Sequence, residues 1–402
     1  MSEHWFSIQL KPVGNMCNLR CKYCYARPHA SGEVMSYDVL EQVIKKTLQQ
    51  DYLYPTFSWH GGEPTLAGYD FFYQAMLLIE KYKRPNQVVR NLIQTNATRI
   101  TPQLAKLFKK YNFIVSISLD GPEHIHGINR VTGESNNSFS QVMDGIKILR
   151  QYGIEPSVIC TVSRETLPFA AEVFHFLISQ GFKKIKYSPV FDSTRDEFSI
   201  TSDEWYRYLK TVFYEWFKVG DATIQIRDLN EVIAWLLKRS INLCSCNRTC
   251  LHWVSIDPKG EIYPCEYLRE KYYYGNITQI EELRDIYYTS SYQEFKKIYE
   301  TVPLKCRHCE FFKVCGNGCP ATRVRDGKIS LDGVYAFCEQ RRKLFYEIEK
   351  VFKSVLGENY IEEKEIKEKE AFVHAVISNV KEETENMKPD DWRALLHNWI
   401  KC

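Results

Sequence analysis

Fourteen cysteines carry the chemical information of this 402-residue chain. Three lie within Cys17–Cys24 and nine within Cys244–Cys338; only Cys160 and Cys402 stand apart. They are too dilute for a small disulfide-stapled scaffold. Clustered thiols more often bind metal or do redox chemistry. The first cluster, Cys17-Asn18-Leu19-Arg20-Cys21-Lys22-Tyr23-Cys24, has the spacing Cys-x3-Cys-x2-Cys. Three thiolates on one short loop can ligate three irons of a cubane and leave the fourth open to a chelating ligand, whereas clusters that only move electrons usually have four cysteines. A zinc site would want a fourth ligand, and only His29 stands near.

The second group reads Cys244, Cys246, Cys250, Cys265, Cys306, Cys309, Cys315, Cys319 and Cys338. Gly260 lies between Cys250 and Cys265, and the run Cys306-x2-Cys309-x5-Cys315-x3-Cys319 follows. Spacing alone leaves a zinc-ribbon-like domain open, because paired Cys-x2-Cys is also a zinc pattern. Cys160 reads as a buried apolar residue. Cys402 is given no role.

These residues need elements to position them. Strand-like segments at Phe6–Val13, Thr56–His60, Val88–Thr95, Ile114–Leu119, Ser157–Val162 and Lys184–Val190 alternate with helix-like ones at Tyr37–Gln50, Asp70–Tyr82, Pro102–Tyr111, Phe139–Gln151, Phe169–Gln180 and Thr201–Val219. Thr101 is the expected N-cap of the third helix. Six strand–helix units predict an α/β fold, a partial (β/α)6 barrel with a parallel sheet and its chemistry at the strand ends. The expected division is a barrel over 1–237, a cysteine-rich domain over 238–340 ordered by metal, and a charged helical tail over 341–402.

Composition removes other classes. A net charge of +3 gives no electrostatic case for nucleic acid or an anionic membrane. No apolar run is long enough to span a bilayer. Met1–Trp5 lacks the pattern of a signal peptide, so a reducing cytoplasm is the expected location.

With the cysteine loop placed after the first strand, the chain resembles the radical S-adenosylmethionine (SAM) superfamily, whose signature is Cys-x3-Cys-x-aromatic-Cys; Tyr23 fills the aromatic slot. Gly61-Gly62-Glu63-Pro64, after the second strand, is similar to that family's GGEP motif, which implies that it holds the amino group of SAM. The resemblance sets Asn96 and Ser118 against the ribose and the methionyl moiety. It sets Arg130 against the SAM carboxylate, with a loop salt bridge as the competing reading. His124 and His126 read as loop-packing histidines. The implied chemistry is one-electron cleavage of SAM to a 5′-deoxyadenosyl radical, which takes a hydrogen atom from the substrate.

The second group is very similar to the SPASM domain, so the resemblance covers roughly residues 5–340. It implies two auxiliary 4Fe–4S clusters, on Cys244, Cys250, Cys265 and Cys319 and on Cys306, Cys309, Cys315 and Cys338, with Cys246 competing with Cys244. Three 4Fe–4S clusters and SAM are thus the expected cofactors. The chain resembles anaerobic sulfatase maturases and maturases of ribosomally made peptides. In the stretch Tyr263-Pro264-Cys265-Glu266, sulfatase maturases carry Asp as the base at the position of Glu266. They commonly have Gln at the position of His60 and Gly at that of Ala97. These departures place modification of a precursor peptide, by cross-link or oxidation, first. Formylglycine formation from Cys or Ser comes second, and an Fe–S electron-transfer partner third. Glu266, His60 and Tyr267 are the substrate-side candidates. The expected partners are a precursor peptide or protein and a flavodoxin- or ferredoxin-type reductant. The first strand starts near Trp5, so either a separate leader-binding protein presents the peptide or the barrel reads it directly.

Overall fold

A computed structural model describes residues 5–26, 32–134, 136–191, 197–221, 223–236, 241, 243–326 and 328–356. Six parallel strands, β1 (Ser7–Leu10), β2 (Thr56–Trp59), β3 (Arg90–Thr95), β4 (Ile114–Ser118), β5 (Ser157–Val162) and β6 (Lys184–Pro189), run in sequence order across the sheet. Helices α1 (Tyr37–Gln49), α2 (Gly68–Tyr82) and α3 (Pro102–Lys110) follow the first three strands. A short α4 (Glu123–Asn129) precedes α5 (Phe139–Gln151), and α6 (Ala170–Ser179) and α7 (Ser202–Val219) complete the units.

Local signals fix these helices. Thr101 Oγ1 accepts the Leu104 amide at 3.2 Å, as its N-cap position predicts. Thr201 and Glu204 form a reciprocal capping box at the start of α7. The strands alternate with period two. Phe57, Trp59, Ile93, Val115, Ile117, Val158 and Ile185 are buried. Gln9, Ser58, Gln94, Ser116, Thr161, Lys186 and Ser188 are only half-buried. Register puts Gln9 beside Ser58, Gln94 beside Ser116 and Thr161 beside Ser188, so one face of the sheet is a polar lumen.

The sheet does not close. After β7 (Gln225–Ile226) and α8 (Arg227–Leu236), the chain crosses to the opposite edge, where β8 (Trp253–Ile256) pairs parallel to β1. Antiparallel β9 (Glu261–Tyr263) and β10 (Gly275–Asn276) complete a ten-stranded sheet. The cysteine-rich region thus grows out of the barrel's first edge, which places residue 266 beside the end of β1. A helix at Cys338–Leu356 packs on α7, with Glu347 accepting from Tyr206 and Lys210. The expected helical segment at Ile361–Glu370, like His29 and Cys402, lies outside the described residues. No described helix is long and apolar enough to cross a membrane.

Candidate active site and cysteine groups

The loop after β1 carries Cys17, Cys21 and Cys24, and Cys21 and Tyr23 are buried with Leu19 and Val190. The turn after β2 holds this loop. Gly62 N donates to Gly14 O and Glu63 N to Met16 O, both at 2.8 Å. A Cβ on Gly62 would stand 2.0 Å from Met16 O, and Gly61 has φ +114°. Glycine is required here for close approach of two backbones.

Glu63 is fully buried. Its Oε1 accepts from Thr65 N, Thr65 Oγ1 and Thr95 Oγ1, and its Oε2 accepts from Asn96 N at 2.6 Å. The carboxylate therefore ties the end of β2 to the end of β3, a role the sequence reading lacked. Burial raises its pKa, against the pull of those hydrogen bonds. Asn96 Nδ2 then reaches Cys17 Sγ at 3.7 Å and Asn18 Oδ1 at 3.0 Å. Ala97 has φ +60°, in the left-handed region that explains why glycine is usual there.

Asp120, past the end of β4, organises the far side and was not singled out in the sequence. Its Oδ2 accepts from Tyr23 Oη at 2.5 Å and from Arg130 Nε at 2.8 Å, and its Oδ1 accepts from Thr161 N. Arg130 and Asp120 thus form a buried ion pair. Arg130 Nη1 turns to Cys21 Sγ at 3.9 Å. Ser118 is buried at the adjacent strand end. His126 Nδ1 accepts from Asp120 N, and its Nε2 lies 3.0 Å from Ser138 Oγ, which donates to Arg130 O. Burial holds it neutral, with a pKa near 4. His124 lies on the surface beside Glu172 at 3.1 Å. His126 thus packs in the interior, whereas His124 is exposed, and both stand on α4 rather than on a loop.

On the lumen side, Lys11 follows β1 and is 1% exposed. Its Nζ lies 2.6 Å from Glu266 Oε2 and 2.5 Å from Asn15 Oδ1. Burial lowers its pKa and Glu266 opposes that. His60 follows β2. Its Nε2 sits 2.9 Å from Gln94 Oε1, and its buried Nδ1 has no hydrogen-bond partner among the described residues. Burial drops its pKa to about 4. Tyr267 is exposed and packs on Tyr25 of the first loop at 5.0 Å.

The remaining cysteines fall into two groups. Cys250 stands with Cys244, Cys265 and Cys319, here the inner group, since Cys265 and Cys319 share Tyr267 as a neighbour with Cys24 of the first loop. Cys306, Cys309, Cys315 and Cys338 line one cavity and form the outer group. Cys244 stands beside Cys250, Cys265 and Cys319, while Cys246 lies near Arg341, Asp228 and Glu231. Burial pushes the thiols of Cys17 and Cys265 up to about 12 and those of Cys21 and Cys306 to about 11. Stable thiolates at these positions need a cation, which iron supplies. A set of three thiols on one loop and two sets of four are the donor sets that 4Fe–4S clusters take.

Comparison with known proteins agrees. Residues 12–167 match the radical SAM superfamily, and residues 244–310 match SPASM, an iron–sulfur cluster-binding domain. The chain is 30% identical to a cysteine-type anaerobic sulfatase-maturating enzyme of Clostridium novyi over 78% of its own length and 87% of the relative's. It is 29% identical to the corresponding Clostridium perfringens enzyme, covering 84% and 95%. The solved structure of native anSMEcpe with bound AdoMet and the Cp18Cys peptide superposes with a TM-score of 0.77 at 29% identity, covering 86% of this chain and 97% of that one. The chain belongs to the radical SAM/SPASM family that includes the anaerobic sulfatase-maturating enzymes, and it is an enzyme built for 4Fe–4S clusters and SAM.

Proposed function

We propose that the enzyme oxidises a Cys or Ser side chain of a peptide or protein presented at the barrel mouth. The observation that carries this is Glu266. It follows a cysteine of the second region, yet its carboxylate is held 2.6 Å from Lys11 at the end of β1. When bound, the clusters and SAM supply the radical that takes the hydrogen atom and the sink for the electron left behind. Cys17, Cys21 and Cys24 would hold the first cluster, and the two groups of four would hold the others. Gly61, Gly62, Glu63, Asn96, Ser118 and Arg130 would frame SAM, with Tyr23 packed behind it.

Glu266 would accept the thiol or hydroxyl proton, since a general base must lie within hydrogen-bond reach of the proton it takes. Lys11 aims that carboxylate, and this fixed aim compensates for the extra methylene relative to Asp. Neutral His60 offers its free Nδ1 as an acceptor toward the substrate. The barrel (1–237) and cysteine domain (238–340) would serve as the parts of this device, with a flavodoxin- or ferredoxin-type reductant as electron donor.

The departures at His60 and Ala97 from the residues that sulfatase maturases commonly carry are what favour peptide cross-linking over formylglycine formation. Likeness along most of the chain to sulfatase maturases is the reason for the reverse order here. Cross-linking of a precursor peptide, with or without a leader-binding protein, remains the second reading, favoured by His60 and its free Nδ1.

The test is anaerobic incubation with SAM, dithionite and a Cys-x-Pro-x-Arg peptide. The expected product is an aldehyde trapped by hydrazine. Glu266→Gln should abolish it while 5′-deoxyadenosine still forms. A wild-type enzyme that forms 5′-deoxyadenosine but no aldehyde, and that cross-links a precursor peptide, would overturn the first reading for the second.

A further inference from the structure

The helix Cys338–Leu356 begins with a member of the outer cysteine group, and Arg341 lies three residues on, on the same face. Arg341 lines the cavity bounded by Cys306, Cys309, Cys315 and Cys338. Its Nη1 donates to Cys315 Sγ at 3.7 Å, and its Nη2 donates to Tyr335 Oη at 3.2 Å. The guanidinium stacks over the Tyr335 ring, 4.2 Å from its centroid. The described hydrogen bonds of this side chain thus go to a sulfur and a phenol, not to a carboxylate. No described carboxylate is hydrogen-bonded to it, though the buried Asp228 lies near. The guanidinium is aimed at the thiol group.

The inner group is served differently. Arg323 is 1% exposed, and its Nε and Nη1 donate to the carbonyls of Asn317 and Leu331. Its Nη2 is buried without a hydrogen-bond partner among the described residues, and none of its described hydrogen bonds reaches a cysteine sulfur. The asymmetry between these two groups is one of bonding: Arg341 donates to a sulfur of the outer group, while Arg323 lies near Cys250 and Cys319 with its described hydrogen bonds on carbonyls.

We propose that Arg341 is a tuning residue of the outer cysteine group, raising the reduction potential of the cluster held there and making it the preferred electron sink. Reduction adds negative charge to a cluster, and a charged donor on a ligand sulfur stabilises that charge. The electron left by substrate oxidation then passes outward from the inner group instead of returning to the first loop. This rests on cluster ligation by Cys306, Cys309, Cys315 and Cys338.

The test is a potentiometric titration followed by electron paramagnetic resonance. It uses the reconstituted full chain in a Cys17/Cys21/Cys24→Ala background, so that only the two groups of four contribute. Iron analysis comes first: about eight irons per chain supports ligation, and about four sinks both the ligation reading and the proposal. With iron loaded, Arg341→Gln should lower the reduced-to-oxidised ratio of one signal about tenfold at a fixed poise, a shift of about 59 mV to more negative potential for a one-electron couple. The other signal should stay in place. Arg341→Lys, which keeps the charge, should recover most of the shift, and Tyr335→Phe should leave it largely intact. An iron-loaded Arg341→Gln protein with both potentials unchanged overturns the proposal. If Arg341→Gln does not load, Arg341→Lys decides: a loaded protein with near wild-type potential supports the charge role, and failure to load makes Arg341 structural and overturns it.

Discussion

The first cysteine group and the two later ones solve different problems. Cys17, Cys21 and Cys24 sit on one loop, and the loop is shaped by protein contacts: the Gly61–Gly62 turn, the Asn96 amide on Cys17 and the Arg130 guanidinium on Cys21. The later groups draw thiols from segments far apart in sequence, and Cys319 of the inner group lies between Cys315 and Cys338 of the outer one. In the first region the fold prepares a site for an incompletely ligated cluster. In the second, residues such as Ile262, Tyr274, Ile286, Phe295 and Phe311 join the same apolar core as the barrel, and the thiols are gathered from the loops and short elements between them. Fewer ligands mean chemistry, and more ligands mean architecture and electron transfer.

The largest effect is expected where the two regions are joined. Lys11→Met leaves Glu266 buried without its cation, and loss of one partner from such a pair costs about 3–5 kcal/mol. Denaturant unfolding should show it, and a loss below about 1 kcal/mol would mean that the regions are not coupled through this pair. Gly62→Ala comes next. Its Cβ meets a backbone carbonyl rather than a flexible side chain, so the cysteine loop must move, at about 1–3 kcal/mol. Formation of 5′-deoxyadenosine should fall at least about tenfold while the later groups keep their iron.

Acid acts on the barrel side. His60 and His126 titrate near 4 when folded and near the ordinary 6.5 when unfolded. The unfolded chain therefore binds the extra protons. Stability is full above about pH 6.5 and is lost as pH falls toward 4, by about 1 kcal/mol per histidine at pH 5.5. His126→Asn should flatten that slope in pH-dependent melting curves. The smallest effect is Cys246→Ser, which should leave iron content unchanged and stability within about 0.5 kcal/mol. Cys244→Ser should cost the inner cluster.

The strands, their helices and the cysteine loop were legible because period-two and helical patterns run through β1–α7 and because three thiols lie close in sequence. The pairing of β8 with β1 was not, since four residues carry too little alternation to reveal a partner. Asp120 was passed over because a carboxylate after a strand is commonplace; only the structure shows Tyr23, Arg130 and Thr161 meeting on it. Glu63 was expected to face SAM, and no local pattern signalled the donors that hold it between β2 and β3. The choice of Cys244 over Cys246 needed three dimensions, because both lie upstream of Cys250 at plausible spacing.

The central claim is that three thiols serve SAM chemistry and eight serve electron storage. It is tested most directly by reconstituting the wild type and the Cys17/Cys21/Cys24→Ala protein without oxygen, then assaying iron and 5′-deoxyadenosine together. The prediction is about 12 irons falling to about 8, with 5′-deoxyadenosine formation lost completely. Equal iron in the two proteins, or SAM cleavage that survives in the variant, would contradict it.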